Sequence, residues 1–496
     1  MTLASARGRA SSAQTLRDYF DLIAPEWDNW RSRNRFYHEK VNELVAGAVV
    51  SNRRVLDIGC GKGDVLATLR PSSGLGLNVA DRLTQMARER YPHLRFETFD
   101  GDALALPDDF RPDYVVAVNL LDYTYDVFEL LASVRECITE RTLIVLITSN
   151  PLWAPLLRLA SRLGRRSPES PRNFITNRDI ASILNVLGFD VVEAGLALPV
   201  PERIPILAPV LNAVLPDLPV LRYASSTQYL AARPRIARDS LSVSVVVPCH
   251  NEEGNVPACA RRIPDMGVAT EVIFVDDGST DGTRAAVLAA MEEDPRVRLV
   301  AYDTNHGKAN AVRAGFEAAR NDVLMILDAD MTVAPEDLPK FLAPLQAGTA
   351  EFVNGTRLVY PIEDQAMPTA NFIGNKAFCL LVSWVLRQRV SDTLCGTKAL
   401  LRRDYESMPL PGRDRWGDFD LLFGAARQKL RILEIPIHYR ERVAGESKMN
   451  VRRDGPMFLG TCLQGWRMLR RPGSVPWSTR ERTAGGIQEL SPAGDA

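Results

Sequence analysis

Residues 275–282 read Val-Asp-Asp-Gly-Ser-Thr-Asp-Gly, and residues 327–330 read Leu-Asp-Ala-Asp. Each stretch comes at the end of an apolar run that predicts a buried strand, Glu271–Val275 and Val323–Leu327. Carboxylates at the carboxyl ends of strands in an α/β sheet face the ligand crevice. The Asp-x-Asp spacing offers oxygen ligands to Mg²⁺ or Mn²⁺, and a bound diphosphate would complete the shell. Two such turns in one strand–helix series predict a nucleotide and a metal ion.

Length and composition predict a globular protein of two or three domains. The chain has 496 residues, of which 46% are hydrophobic and 24% charged. Its net charge of −1 gives no electrostatic basis for a nucleic-acid partner. The seven cysteines are scattered and never form a C-x-x-C pair, which favours free thiols in a reducing compartment. No secretory signal is visible and prolines or polar residues interrupt the most apolar stretches, so we expect a cytoplasmic protein.

Strand-like and helix-like segments alternate in two separate series, which predicts two parallel α/β sheets in tandem. A polar, aperiodic stretch between the series predicts a linker over residues 236–240. The expected domains are therefore residues 1–235 and 241–480, followed by a disordered tail over residues 481–496. The predicted strands are Arg54–Ile58, Gly74–Leu77, Tyr114–Val118 and Leu143–Ile147 in the first series and Val243–Val247, Glu271–Val275, Arg298–Ala301 and Val323–Leu327 in the second.

The first series opens with a strand that runs into a glycine turn, Asp57-Ile58-Gly59-Cys60-Gly61-Lys62-Gly63. Glycines there permit positive φ and close approach of a ligand, and the following helix start offers free N–H groups. Taken alone, the pattern would suit NAD or another nucleotide. With the preceding aspartate and the tight G-x-G-x-G spacing, the segment resembles the class I methyltransferases, which bind S-adenosylmethionine in a Rossmann-like fold. The cofactor-binding residues that the resemblance implies are Asp57, Gly59, Gly61, Gly63, Asn78 and Asp102, and Tyr19, Phe20 and Trp27 resemble the family's aromatic lid.

Asn78 departs from the family pattern, in which an acidic residue after the second strand takes the ribose hydroxyls. Asparagine keeps one acceptor oxygen but loses charge assistance, so we expect Asn78→Asp to tighten cofactor binding. The departure also leaves open a domain that has lost catalysis and serves as a scaffold.

The second series, from Ser242 to about Arg471, resembles the inverting family 2 glycosyltransferases of GT-A fold. The similarity is greatest to the branch of dolichyl-phosphate mannose synthase-like enzymes, which transfer sugars to polyprenyl phosphates. The resemblance implies a nucleotide-sugar donor, held by Pro248, Glu252, Asp276, Asp277, Lys308 and Asp328, and a metal ion held by Asp328 and Asp330. Thr332 stands where this branch often has glutamine.

The acceptor side is predicted from the same resemblance. The residues that would contact an acceptor phosphate are Arg357, Arg442, Ser447 and Lys448. Asp392, Asp418 and Asp420 are the candidate catalytic carboxylates, since a hydroxyl nucleophile needs a base whereas a phosphate does not. Asp418 and Asp420 could equally cap the following helix.

We therefore expect a bifunctional transferase that glycosylates a polyprenyl phosphate or a glycan and methylates a small molecule, glycan or lipid. A sugar-1-phosphate nucleotidyltransferase and a non-enzymatic nucleotide sensor are the alternatives. Phe458, Cys462, Trp466 and Leu469 fall on one helical face beside arginines. Such a helix either lies peripherally on the inner face of the cytoplasmic membrane or packs on its own domain.

Overall fold

The computed structural model divides into two compact units, Met1–Arg235 and Ile236–Ala496. The structure describes residues 14–99, 104, 106–107, 109–165, 173–357, 359–360, 369–408, 417–438, 460–467, 469 and 488–490, without the side chains of 369–377 and 488–490. Each unit is built on one sheet with apolar clusters on both faces. The prediction of two tandem α/β folds is confirmed.

Unit 1 contains a seven-stranded sheet among its described residues. Its strands are β1 Arg54–Ile58, β2 Ser73–Asn78, β3 Arg95–Thr98, β4 Tyr114–Val118, β5 Leu143–Ser149, β6 Phe189–Ala197 and β7 Thr227–Pro234. Its helices, after a helix over residues 14–23, are α1 Trp27–Arg33, α2 Arg35–Ala48, α3 Asp64–Leu69, α4 Asp81–Arg90, α5 Val127–Cys137, α6 Ala154–Arg162, α7 Asn177–Val186 and α8 Leu207–Val214.

The strand order of unit 1 is β3-β2-β1-β4-β5-β7-β6. Strands β1 to β5 are parallel, and the order reverses between β1 and β4, which is where a ligand crevice forms in such sheets. The glycine turn follows β1 and therefore lies at this point. The four strands predicted for this sheet are parallel, whereas β7, which was not predicted, enters antiparallel between β5 and β6.

Unit 2 contains an eight-stranded sheet among its described residues. Its strands are β8 Val243–Cys249, β9 Thr270–Asp277, β10 Val297–Tyr302, β11 Val323–Ile326, β12 Phe352–Thr356, β13 Lys398–Leu401, β14 Ile432–Pro436 and β15 Gln488–Leu490. Its helices are α9 Val256–Arg262, α10 Thr283–Glu293, α11 Lys308–Ala318, α12 Leu338–Gln346, α13 Thr369–Leu386, α14 Arg402–Glu406 and α15 Asp418–Arg427, with a further helix over residues 460–467.

The order of this second sheet is β14-β12-β13-β11-β8-β9-β10-β15. Strands β8, β9, β10 and β11 are parallel, as predicted, and their carboxyl ends meet at one edge of the sheet. The remaining part is mixed, because β13 pairs antiparallel with both β11 and β12. The order reverses between β8 and β11, so the two acidic turns that follow β9 and β11 flank the expected ligand crevice.

Three of the segments that the sequence singled out make contacts among the described residues. The boundary between the two compact units falls between Arg235 and Ile236, where the predicted linker over residues 236–240 begins, and within that stretch Arg238 is buried and donates to the Leu345 carbonyl. The tail over residues 481–496 contains strand β15, which pairs antiparallel with β10. In the helix over residues 460–467, Cys462 is buried and Trp466 packs against the same cluster, as expected of a helix that packs on its own domain. The alternative of a helix at the membrane stays a prediction. Phe458 lies outside the described residues.

Candidate active sites

The glycine turn of unit 1 has the backbone that its sequence predicts. Gly59, Gly61 and Gly63 adopt φ values of 77°, 55° and 81°, which side-chain-bearing residues rarely adopt. The N–H groups of Gly59 and Cys60 both donate to the Leu77 carbonyl at the end of β2, at 2.8 and 3.1 Å. The turn is therefore fixed against the neighbouring strand and presents its outer side to a cavity.

Asn78 contacts the glycine turn itself, which corrects the expectation that its amide is directed at a ribose. Its Nδ2 donates to the Gly61 carbonyl at 2.8 Å, and its Oδ1 accepts from the Gly61 N–H at 2.9 Å. The side chain is buried, and its amide both donates to and accepts from the backbone of Gly61, as one residue of a β-strand does with its partner. Asn78 therefore holds Gly61 in position.

Asp57 lies at the end of β1 and is almost fully buried. Among the described residues, no group hydrogen-bonds its Oδ2, and the same holds for Trp27 Nε1. Burial raises the pKa of the Asp57 carboxyl to about 7, although a backbone hydrogen bond from Leu66 and the charge of Arg31 oppose the rise. A carboxylate in this position favours a bound cation, so the turn fits the positively charged S-adenosylmethionine.

An aromatic helix closes over the glycine turn, in the manner that the lid residues predict. The Trp27 ring lies against Gly61, where an added Cβ would come within 2.9 Å of it. The buried Lys62 ammonium binds Asp28 of α1 at 2.9 Å and thereby ties the turn to this helix. Tyr19, Phe20, Trp27, Gly59, Gly61 and Asn78 line a common cavity of about 540 Å³. Asp102 lies outside the described residues.

In unit 2, Asp276 and Asp277 at the end of β9 have their carboxylates fully engaged within the protein. Asp277 accepts from the N–H groups of His306 and Gly307 at 2.7 and 2.8 Å, which fixes the loop before α11. Asp276 accepts from Ser279 N–H and from the Arg284 guanidinium. Both carboxyls are buried, so in this structure they shape the donor crevice instead of projecting into it.

Pro248 and Glu252 lie beside these aspartates. Pro248 is half-buried in β8, paired with Val275. The Glu252 N–H donates to Thr283 Oγ1 at 2.8 Å, and its carboxylate accepts from Asn255 at 2.6 Å. The turn after β8 is thereby joined to the start of α10.

Lys308 and Asp328 form the centre of the second site. Lys308 Nζ lies 2.5 Å from Asp328 Oδ1, and both side chains keep about a quarter of their surface exposed. Burial alone would lower the pKa of Lys308, but the charges of Asp328 and Asp418 outweigh it and raise the pKa above its ordinary value. Gly396 lies against the pair so closely that an added Cβ would overlap Asp328 Oδ2. Gly396 and the Asp328-x-Asp330 motif therefore meet at this ion pair.

The second aspartate of the motif, Asp330, is more enclosed. Its Oδ1 accepts from the N–H and the hydroxyl of Thr332, at 3.2 and 2.9 Å. Thr332 thus supports Asp330 through a hydrogen bond. Among the described residues, no three His, Cys, Asp or Glu side chains gather into a metal-binding group. Asp328 and Asp330 would therefore need ligand oxygens from the donor to hold a divalent cation.

A buried ammonium that the sequence did not single out holds Asp418. Lys398 is fully buried and donates to Asp418 Oδ1 at 2.6 Å and to the Cys395 carbonyl. The cap of α15 is Gly417, with no side-chain cap bond, so the helix-capping interpretation was wrong. Asp420 is buried in the first turn of the same helix. No sequence signal marked Lys398, since it is a single lysine at the start of an apolar strand.

Asp392 serves Arg357, which corrects the expectation of a free catalytic carboxylate. The Arg357 guanidinium binds both carboxylate oxygens, at 2.7 and 2.8 Å, and Asp392 is fully buried. Burial would raise the pKa of Asp392, but the charge and hydrogen bonds of Arg357 hold it below its usual range. Asp392 therefore positions Arg357. Arg442, Ser447 and Lys448 lie outside the described residues.

The sequence of unit 2 is similar to that of a curated enzyme. The undecaprenyl-phosphate mannosyltransferase of Micrococcus luteus is 32% identical over 216 residues, which span 42% of this chain and 88% of the relative. A family model for "Glycosyl transferase family 2" matches residues 244–407. The chain belongs to glycosyl transferase family 2. Its N-terminal unit matches a second model, "Methyltransferase domain", over residues 29–194.

This family 2 member is therefore a transferase with a methyltransferase domain, as the sequence motifs indicated. The family match decides against the nucleotidyltransferase alternative. Solved structures with similar folds include glucosyl-3-phosphoglycerate synthase from Mycobacterium tuberculosis, at 22% identity and a TM-score of 0.36, covering 45% of this chain and 80% of that one. Magnesium protoporphyrin IX methyltransferase from Synechocystis PCC 6803 aligns at 16% identity and a TM-score of 0.33, covering 45% and 99%. In the described parts of the chain, every helix is too short or too polar to cross a membrane.

Proposed function

We propose that unit 2 transfers a sugar, with inversion and with the help of a divalent cation, from a nucleotide-sugar to a polyprenyl phosphate. The observation that carries this proposal is the meeting of Lys308, Asp328 and Gly396 at the carboxyl edge of the sheet. In this proposal the loop that contains Gly396 faces the acceptor, next to the metal motif. The relative from Micrococcus luteus, an undecaprenyl-phosphate mannosyltransferase, supports the acceptor class.

On the donor side, Asp328 and Asp330 would hold Mg²⁺ or Mn²⁺ together with diphosphate oxygens. The bound ion would neutralise the charge that develops on the leaving diphosphate. Lys308 would exchange its bond with Asp328 for one with the same diphosphate, since the lysine side chain is partly exposed. The residues of the motif therefore fit the ion only when the donor is also bound.

On the acceptor side, the described carboxylates support a phosphate nucleophile. Asp418 is paired with Lys398 and Asp392 with Arg357, so neither is poised to take a proton from a hydroxyl. A phosphate is already anionic and requires no base. In this proposal Arg357, Arg442, Ser447 and Lys448 bind the acceptor phosphate, the last three from a segment outside the described residues.

The acceptor is tested by transfer of labelled sugar from a panel of nucleotide-sugars to a short-chain polyprenyl phosphate and to the matching polyprenol. We expect transfer to the phosphate alone, a loss of about a thousandfold in Asp328→Asn, and retention in Asp420→Asn. Asp337→Asn, which removes a carboxylate paired with the exposed Lys340, is the matched control. Transfer to polyprenol that depends on Asp420 would instead indicate a hydroxyl acceptor such as a glycan.

We propose further that unit 1 binds S-adenosylmethionine between the glycine turn and the lid helix and methylates an acceptor in the cavity. Asp57 Oδ2, which is buried and has no hydrogen-bond partner within the described part of the chain, supports a cationic cofactor. The engagement of Asn78 with Gly61 favours the scaffold alternative, since it withdraws the expected ribose contact. Calorimetry with S-adenosylmethionine separates the two, because a scaffold would bind no cofactor.

A further inference from the structure

Unit 1 exposes apolar side chains on two helices outside its core, which together we call the α6–α8 face. On α6 and its flanks the exposed apolar side chains are Leu152, Leu156, Leu159 and Leu163. On α8 and its flanks they are Ile204, Ile206, Leu207, Val210, Val214, Leu218, Val220, Leu221 and Tyr223. Ile206 is 84% and Val220 78% exposed, so these are not partly buried core residues. Scattered apolar residues are ordinary on a protein surface, but a contiguous set marks an interaction site.

Neither helix contributes to a core in the way that an amphipathic surface helix normally does. Helix α6 has no buried residue, and in α8 only Ala208 is buried. Their exposed apolar side chains recur at the spacing of a helical face, and those of α6 also line the cavity of the glycine turn. Removing the apolar surface of these two helices from water would stabilise the protein.

The two parts of the face are held together by the fold. Trp153 Nε1, just before α6, donates to the Ala224 carbonyl after α8, at 2.9 Å. At the other end of α6, Gly164 and Arg165 line a common cavity with Arg203, which precedes α8. The helices therefore belong to one surface of the unit.

The charges around this face are mostly positive. Its exposed arginines are Arg158, Arg162, Arg165, Arg203 and Arg222, whereas Glu202 and Asp217 are its exposed acids. An apolar stripe bordered by arginines matches the interface of a bilayer, where apolar side chains enter the acyl boundary and cations meet anionic headgroups. A second copy of this chain would bring these arginines towards one another.

The cofactor cavity opens at the same face. Leu156, Leu159 and Leu163 are half or more exposed and also line the cavity that contains Gly59 and Gly61. A molecule embedded in an apolar phase beside α6 could therefore reach the glycine turn without crossing water.

We propose that the α6–α8 face docks on a bilayer that contains anionic lipid, and that the cavity takes its methyl acceptor, an amphiphile with an apolar chain, from that bilayer. The docking surface thus lies on the methyltransferase unit, not on the helix over residues 460–467. Docking does not depend on either proposed transfer reaction.

The full chain is tested by co-sedimentation with vesicles of phosphatidylcholine, with and without about one third phosphatidylglycerol. We expect binding to the anionic vesicles and a loss of about tenfold or more in the triple variant Ile206→Ser, Val210→Ser, Val214→Ser, whose residues do not line the cavity. Arg162→Glu should also weaken vesicle binding, and the loss should be larger at low salt than at high salt. Val186→Ser, on the exposed end of α7, is the matched control and should bind as the parent does.

Two further measurements keep the result unambiguous. Hydrogen exchange with and without vesicles should show protection over residues 152–163 and 206–221, and thermal unfolding should show that the triple variant is folded. Equal vesicle binding by the parent and the folded triple variant would overturn the proposal. A lack of vesicle binding by the unmodified protein would also overturn it. Light scattering would then show whether the protein dimerises through this face or stays monomeric.

Discussion

The two units place carboxylates at the same kind of sheet edge but treat their charge in opposite ways. In unit 1, Asp57 is buried with one oxygen unpartnered among the described residues, and burial raises its pKa to about 7. In unit 2, the carboxylates of Asp276, Asp328, Asp392 and Asp418 each meet a guanidinium or ammonium. In the first site, a bound cation would stabilise the ionised form of Asp57. The second is already neutralised, so a metal ion must compete with a lysine.

The largest effect that we expect from this contrast concerns the buried Lys398–Asp418 pair in unit 2. Lys398→Met should lower the free energy of unfolding of unit 2 by about 3–5 kcal/mol, because it leaves Asp418 buried without its cation. Hydrogen exchange of peptides from β8 and β11 along a urea series would measure it. Lys340→Met removes an exposed pair with Asp337 and should cost about 1 kcal/mol or less. Adding Asp418→Leu to Lys398→Met should recover most of the loss; no recovery would mean that the charge pair is not the cause.

The next test concerns the Asn78 amide. Asn78→Asp should weaken S-adenosylmethionine binding by about 1–3 kcal/mol, because a carboxylate cannot donate to the Gly61 carbonyl and instead faces it. This reverses the expectation from sequence. Calorimetry would measure the change. The side-chain amide of Asn212 makes the same pair of hydrogen bonds with the backbone of Val200. Asn212→Asp is therefore a matched control that should leave cofactor affinity unaltered. Tighter binding by Asn78→Asp would contradict this prediction and would support a contact between residue 78 and the ribose.

A smaller effect should appear as a pH dependence of unit 1. A bound cation favours the ionised Asp57, so the affinity for S-adenosylmethionine should rise with pH and level off above about 7. Below that value it should fall by up to about tenfold per pH unit, because the carboxyl must first lose its proton. Calorimetry in buffers of different ionisation enthalpy should detect proton release at pH 6. Asp57→Asn should remove both the release and the slope; a slope that persists would have another origin.

The smallest expected effect tests the competition in unit 2. Lys308→Met should tighten Mn²⁺ binding in the absence of donor by about tenfold or less, since Asp328 loses its ammonium partner. The same variant should transfer sugar more slowly, because the lysine is then missing from the diphosphate. Titration of Mn²⁺ followed by electron paramagnetic resonance would separate the two effects, with Lys340→Met as control. Weaker Mn²⁺ binding would show that Lys308 does not compete with the metal.

Local patterns predicted the strands and turns of both crevices, because their evidence lies within a few residues. The glycine spacing from Gly59 to Gly63 and the apolar runs before Asp276 and Asp328 needed no distant partner. The contacts that define each side chain's role were not predictable in this way. Lys398 meets Asp418 across 20 residues, and Asn78 meets Gly61 across 17, so neither pairing leaves a local pattern.

The residues just before the predicted linker illustrate the same limit. Arg233 and Pro234 gave the end of β7 a polar, aperiodic appearance, yet both are buried within strand pairing. Arg233 donates to the Arg141 carbonyl, a partner that lies 92 residues away. Polarity therefore marked a buried arginine with a distant acceptor, and not exposed chain.

The position of β7 has a consequence for synthesis of the protein. This strand is the last of unit 1 in sequence but lies inside the sheet, between β5 and β6. Until residue 234 has left the ribosome, β6 has no neighbour to pair with and β5 keeps an open, apolar edge. Unit 1 can therefore complete its sheet only as translation of unit 2 begins, and a nascent chain stalled before β7 would expose a strand edge prone to aggregation.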